Sequence, residues 1–407
     1  MPRHHRPPAA RCLGPAGALT LACFAAVAPP AAAQPNTSGV DGGVATFRGE
    51  RFFPRGFYLA ETVEDLRAGR ELGFNTATVT FRGSFPLLDG LVAEAERLGL
   101  GLLVETESEN VLADRLVRRY RDSPALFAWG IEDDSDDRAF RSFEQVRQKA
   151  IDVRAADPDH LTYASATGFN RFRRAEAADW SGLVDLPGHQ SYPIDALEAY
   201  DEIAPGRSDL ENAYQQHRLY ADAAGDAPSV ANVQAFAWEQ EGGERPTAEE
   251  VRNMTYGALI AGVDGVLFFS LPEAQEDPDF LASFGGLAAE LAALEAAVLD
   301  GAELRFDDLS TGVHAAVRGS GEDAVLLAVS TQGPGELSDF SLALPEGFLG
   351  VAPLFPGAGG TLGVSGGLIT GQLAGGSAVA YRLVVPEPAG LAALGAAGLA
   401  LLRRRRA

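Results

Sequence analysis

Eight times between residues 44 and 301, a short apolar run gives way to a stretch whose apolar residues recur at helical spacing. The first run, 51–60, leads into a segment with Val63, Leu66 and Leu72 on one face and Gly73 as its stop. The second, 74–81, is followed by a helix from Pro86 to Gly99 with Leu87, Leu88, Leu91, Val92, Ala95 and Leu98 aligned. Runs at 101–106, 125–133, 161–167 and 229–238 repeat the pattern, as does a weaker one at 182–193, and 265–271 is the eighth. Thr247 with Glu250 forms a capping box ahead of the seventh helix, and a helix over 277–299 ends the array. Eight strand–helix units over residues 44–301 predict a (β/α)8 TIM barrel, whose usual size is about 250 residues. An open doubly wound sheet has the same alternation. No glycine-rich phosphate fingerprint follows the first strand, which counts against dinucleotide binding.

Helical periodicity stops after residue 301. Over 302–385, short strands such as GVHAAVRG, DAVLLAVST, DFSLALP and SAVAYRLVV alternate with glycine-rich turns. This predicts a small antiparallel β-sandwich. The expected fold class is therefore α/β, a barrel followed by a sandwich, consistent with a chain of 407 residues.

The two ends carry a different kind of information. Residues 1–33 combine Arg3, Arg6 and Arg11 with an apolar run to about Val27 and then Ala31 and Ala33, the form of a secretory signal peptide. The run is short for a membrane anchor and ends in Pro29 and Pro30. Both cysteines, Cys12 and Cys23, lie in this segment, so a processed chain has no disulfide and no thiol chemistry. At the other end, Pro386-Glu387-Pro388 precedes the apolar stretch from Ala389 to Leu402 and then four arginines. These three parts in this order resemble the PEP-CTERM sorting signal of Gram-negative bacteria that make exopolysaccharide. The resemblance implies signal peptidase and an exosortase-type protease as processing partners, only transient membrane contact through the tail, and a secreted or surface location in the extracellular matrix. A plain tail anchor is the alternative. The formal charge of -23 argues against a nucleic-acid or anionic-membrane binder. Among the basic residues only Lys149 is a lysine, which we read as genome composition.

In a barrel of this kind the site lies where strands end and the following loops begin. The strand ends hold Tyr58 and Glu61; Arg82; Glu105 and Glu107; Glu132, Asp133 and Asp134; Thr167; His189, Gln190 and Tyr192; Gln234, Trp238, Glu239 and Glu241; and Ser270 and Glu273. The fourth stands out, because WGIEDDSDD places five acids among nine residues. Like charges this close raise one another's pKa, which suits a carboxylic acid that donates a proton. A solvated acidic loop has the same composition. The stretch is also rich in hard oxygen ligands, but it lacks EF-hand spacing, and neither metal nor cofactor is expected.

Most of residues 50–300 resembles the clan A glycoside hydrolases. Their fourth strand often ends in Trp-x-x-x-Asn/Asp-Glu-Pro, and Trp129, Asp133, Asp134 and Ser135 fall on those positions. Residues 229–271, with the proline–threonine start of the seventh helix, and Ser191-Tyr192-Pro193 after the sixth strand are similar too. The resemblance implies a polysaccharide substrate, Asp134 as general acid, and Asp133 positioning it or the sugar. Two departures matter. Asp134 is one methylene shorter than the family's glutamate, and Gln234 stands where the family's nucleophilic glutamate ends the seventh strand. Glu239 or Glu241 from the next loop would have to supply the second carboxylate that glycoside hydrolysis uses. Tyr58, Trp129, Tyr192, Trp238 and Phe269 are candidate platforms for sugar rings or, alternatively, core aromatics. Glu107, His189 and Gln234 complete the expected binding set. Two functions fit: a glycoside hydrolase-like enzyme, or a catalytically inactive barrel that binds glycan or serves the matrix.

Overall fold

The computed structural model describes residues 36–106, 110–135, 142–167, 174–196, 207–238, 243–301, 303–308, 311–355 and 359–386. The expected signal peptide and nearly all of the sorting tail lie outside them. Eight parallel strands close into a barrel: β4 (Arg55–Phe57), β5 (Thr76–Thr80), β6 (Gly101–Glu105), β7 (Leu126–Glu132), β8 (Leu161–Ala166), β9 (Leu186–Ser191), β10 (Val230–Gln234) and β11 (Gly265–Phe269), with β11 paired back to β4. The helices between them are α1 (Val63–Glu71), α2 (Phe85–Leu98), α3 (Asn110–Tyr120), α4 (Phe143–Ala156), α5 (Arg174–Ser181), α6 (Asp209–Ala224) and α7 (Ala248–Ala261). A short α8 (Leu271–Gln275) and the long α9 (Pro278–Asp300) follow β11. The chain thus has the (β/α)8 architecture, and the open sheet is excluded.

Strands buried on both faces explain the near-continuous apolar runs of the sequence. Alternate residues point in and out, except at the register shift of β7 against β6, where Phe127 is the extra residue between Leu126 and Ala128. Trp129, Ile131, Val104 and Val79 pack outward against the helices, while Leu103, Phe127, Leu161, Leu186, Val230 and Leu267 fill the interior. An antiparallel sheet not foreseen from sequence, β1 (Ser38–Asp41), β2 (Val44–Phe47) and β3 (Glu50–Arg51), closes the end of the barrel where the strands begin. Phe47 and the following Phe52 press their rings on Phe127, with centroids 5.5 and 4.8 Å away. The opposite end is left as the mouth.

Beyond α9, the strands β12 (Glu303–Asp308), β13 (Val313–Arg318), β14 (Val325–Ser330), β15 (Leu337–Ala343), β16 (Gly350–Pro353), β17 (Gly360–Ser365), β18 (Leu368–Ala374) and β19 (Ala378–Val384) form two antiparallel sheets, ordered β12-β13-β14-β19-β16 and β15-β18-β17. The larger sheet buries Leu326, Val379 and Tyr381 against Phe340, Ile369 and Leu373 of the smaller. Its other face puts Leu327, Val329 and Ala380 into the same core as α7 and α9. That double use explains why α7 is buried nearly all round. Polar groups pin the joint. Asn253 donates to the carbonyls of Ser330 and Ser377, each at 3.0 Å. The buried Arg318 reaches Leu259 O and Asp264 Oδ1, each at 3.2 Å. His314 stacks on Tyr214 with centroids 3.7 Å apart and meets Glu211 Oε2 at 2.7 Å.

Candidate active site

The inward positions at the strand ends form the floor and walls of the mouth. On β6, Glu105 is 3% exposed, and its two oxygens accept hydrogen bonds from the hydroxyls of Tyr58 and Thr80. A buried carboxylate needs such donors to remain tolerable. Gly130 of β7 makes room for it, because a Cβ there would lie 2.7 Å from Glu105 Cγ and 2.9 Å from its Cα. Gly188 of β9 does the same for the Tyr163 ring, with a Cβ falling 2.5 Å from Cε2. Tyr163 and Ser165 of β8 share the amide of Asn232 on β10, at 3.1 and 3.0 Å. Burial, with the negative charges of Asp133 and Glu105 adding to it, holds the Tyr163 hydroxyl well above the usual phenol range.

At the end of β7 the acids meet an amide. Gln190 Nε2 lies 2.8 Å from Asp133 Oδ1 and 2.8 Å from Asp134 Oδ1. Asp134 sits in the left-handed region with φ 48°, and the next residue is fixed by Ser135 N donating to Ser165 O at 2.8 Å. Glu132 turns the other way, to Lys149 of α4 at 3.2 Å, both side chains being nearly buried. Across the mouth the lining is aromatic. Phe269 packs on Tyr58, Tyr192 and Phe236 at centroid distances of 5.8, 5.6 and 5.4 Å, and Phe236 on Trp238 at 4.9 Å. Phe269 and Trp238 keep partly exposed faces. At the rim Arg82 pairs with Glu61.

The structure therefore brings together Asp133, Asp134, Tyr58, Tyr192, Trp238 and Phe269. It removes three other candidates from the mouth. Trp129 is fully buried on the helix side, donating its indole N–H to Asp157 Oδ2 at 2.8 Å, because its place in β7 faces outward. His189 also faces outward; it is fully buried, 2.8 Å from His217 Nδ1 and stacked on Tyr220. Gln234 is fully buried, and its amide is spent on backbone: Oε1 accepts from Ile194 N at 2.8 Å, and Nε2 donates to Ile194 O and Phe236 O at 3.0 and 3.1 Å. Glu107, Glu239 and Glu241 lie outside the described residues, as do Asp136 and Asp137. Arg55 pairs with Glu295 of α9, 3.2 Å away, not with a carboxylate of the mouth. Among the described residues no group of three or more metal-binding side chains is gathered.

Glu105 and Gln190, named from sequence only as strand-end residues, take defined places in the mouth, and Phe236 is the addition. Parity could have found Phe236, since it is two residues from the inward-facing Gln234. Chemically, the mouth offers carboxylates on β6 and β7, an amide on β9, and flat apolar rings on the side of β9–β11. That combination suits a ligand with hydroxyl edges and C–H faces.

No family model and no curated protein matches the sequence. Solved structures do match the fold. A GH27 β-L-arabinopyranosidase from Geobacillus stearothermophilus, in complex with arabinose, aligns at TM-score 0.54 with 11% identity over 82% of this chain and 97% of that one. AmyP in complex with maltose aligns at 0.51 with 11% identity, over 83% and 97%. An α-amylase from Geobacillus thermoleovorans with acarbose aligns at 0.50 with 10% identity, over 83% and 100%. The chain spans 46% of the length of a β-glucuronidase from an uncultured Clostridium. The fold is the one these solved structures share, a (β/α)8 barrel followed by β-structure.

Proposed function

We propose that the protein is exported, sorted to the cell surface by its C-terminal tail, and acts on a polysaccharide by carboxylate chemistry at the barrel mouth. The observation that carries the reading is the Asp133–Gln190–Asp134 cluster opposite an aromatic wall, at the end of the barrel where such sites form. Asp134 delivers its proton to the glycosidic oxygen as the bond from that oxygen to the anomeric carbon breaks, water adds to that carbon and gives up its proton to a second carboxylate supplied by Glu239 or Glu241, and Asp133 positions Asp134 or the sugar. Tyr192, Trp238 and Phe269 receive the sugar faces. The sugars bound by the structural neighbours agree in class with this ligand. Signal peptidase and an exosortase-type protease process the two ends, and the mature protein resides in the matrix of a Gram-negative cell.

A second reading is a barrel that binds glycan without cleaving it. It is favoured by one observation: Gln234 is tied to backbone where a carboxylate would face the acids. The deciding experiment measures reducing ends released from a panel of bacterial exopolysaccharides by the wild-type protein and by Asp134→Asn. Turnover lost in the variant supports the enzyme, and turnover that survives it removes Asp134 from the chemistry. Saturable binding with no product from any polysaccharide selects the binding protein. Fractionating cells that express the chain with and without residues 386–407 tests the sorting.

A further inference from the structure

A cleft of about 640 Å3 opens where the sandwich meets the barrel, and none of the mouth's carboxylates lines it. Its size lies within the roughly 300–1,000 Å3 of small-ligand sites. The barrel side is made by the first turns of α6 and α7, which begin at the end of the barrel that carries the mouth. The sandwich side is made by the loops that follow β14 and β18, together with Gly359. Backbone and caps tie these walls together. Ser208 Oγ donates to Thr331 O at 2.6 Å, Gly375 N to Glu336 O at 2.8 Å, and Ala374 N to Gly359 O at 2.9 Å. Ile194, also in the lining, is held by Gln234 and stands two residues from Tyr192 of the aromatic wall, so mouth and cleft share one short segment. We propose that this cleft is a second saccharide-binding site, selective for sugars without acidic groups.

The lining is rich in fixed acceptors. Glu250 Oε2 accepts from Thr247 N and Oγ1 at 2.7 and 2.9 Å, and Glu290 Oε2 accepts from Arg252 Nε and the Tyr256 hydroxyl, each at 2.7 Å. Each carboxylate is thus oriented through one oxygen, while its Oε1 meets no donor among the described residues. Glu249, exposed on the same turn of α7 as Glu250, has no hydrogen bond or ion pair among the described residues. Arg252, the one basic residue of the lining, is engaged by Glu290, Tyr256 and the Ala378 carbonyl. Oriented carboxylate oxygens beside an engaged cation take O–H or N–H donors and repel anions. Ile194, Leu210, Pro334 and Ala374 supply apolar surface between them. A sugar ring matches both, with hydroxyls at its edge and C–H groups on its faces, whereas a phosphate or a uronate meets like charge. A saccharide is chosen over another polyhydroxyl ligand because the mouth beside the cleft is read as taking one, and to that extent the site rests on that reading. Binding in the cleft needs no chemistry in the mouth.

The test follows the methyl signals of Leu210 and Ala374 by NMR on the full-length protein as neutral oligosaccharides of glucose, galactose or N-acetylglucosamine are added, with the Trp238 indole signal reporting the mouth. Saturable shifts of both methyls are expected with a neutral series and none with oligogalacturonate. Ala374→Trp should fill the cleft and abolish the Leu210 shift. Glu250→Gln keeps the capping box, which glutamine also serves, and replaces the remaining carboxylate oxygen by an amide. It should weaken binding about tenfold through loss of a charged acceptor. Should Ala374→Trp fail to fold, Glu250→Gln decides. Methyls silent with every neutral series, an equal response to oligogalacturonate, or affinity unmoved in Glu250→Gln overturns the proposal. A Trp238 response with a silent cleft defeats this site alone and leaves the reading of the mouth standing. A cleft response with a silent Trp238 supports the site and counts against that reading.

Discussion

Gln234 grips Ile194 by both ends of its peptide group, accepting from the N–H at 2.8 Å and donating to the carbonyl at 3.0 Å. A glutamine can do this and a glutamate cannot, because the carboxylate has no donor. Gln234→Glu would place a fully buried charge against two carbonyls. It should lower unfolding free energy at neutral pH by roughly 3–5 kcal/mol. The deficit should shrink in acid, where protonation removes the charge. Urea titrations at two pH values measure both, and equal stability to wild type would show that the clamp does not matter.

Asp134 adopts φ 48°, which asparagine and aspartate tolerate and alanine does not. Asp134→Asn should therefore retain wild-type stability. Asp134→Ala should lose about 1 kcal/mol more. Thermal melts of the two variants compare them directly, and their ranking is independent of any activity.

Gly130 leaves no space for a side chain beside Glu105. Gly130→Ala should cost roughly 1–3 kcal/mol through overpacking. It should also displace Glu105 from the hydroxyls of Tyr58 and Thr80. A crystal structure of the variant, or its loss of turnover if the wild type proves active, reads the displacement.

The His189–His217 pair sets an acid limit. Burial pushes both imidazoles below their ordinary value, His189 with the charge of its partner adding to the effect and His217 down to about 3. The folded state thus binds fewer protons than the unfolded chain. Stability is complete above the unfolded histidine value of about 6.5 and falls with pH from there toward 3. His217→Gln should flatten that slope, at some cost in stability at neutral pH, when denaturation midpoints are followed against pH.

Glu211 adds a second, lower window. Burial pushes its carboxyl up, but the bond to His314, that residue's charge, and Thr331 and Gln215 outweigh it and bring it to about 2. Its contribution is present above the ordinary 4.5 and is lost as pH falls from there through about 2, amounting to roughly 3 kcal/mol. Glu211→Gln should remove this limb while the histidine limb remains. Because Glu211 and His314 join α6 to β13, the same variant should loosen the sandwich first, as hydrogen exchange would show.

The barrel was legible because its strands are buried on both faces and its helices on one, so the two periods alternate without ambiguity. The sheet at 38–51 was not, since strands of four, four and two residues leave no pattern to count. The bounds of α5 were not legible for a similar reason: RAEAADWS is short and has little apolar stripe. At the site, residue type was readable and parity was not. Trp129 and His189 look like ligands for a sugar, yet one residue of register turns each to the helix side, while Gln190, beside His189, points in. The register shift between Gly130 and Glu132 adds to the ambiguity at the acidic end of β7. Gly188 was the overlooked clue, because an inward glycine signals a large neighbour.

Lys149, the one lysine of the chain, lies 5% exposed against Glu132. On the folded protein, amine-reactive dyes, biotin esters and aldehyde cross-linkers will find no lysine to modify beyond whatever amine begins the chain. Labelling at Lys149 then reports the opening of the layer between β7 and α4, a single-site clock for unfolding that needs no engineered probe.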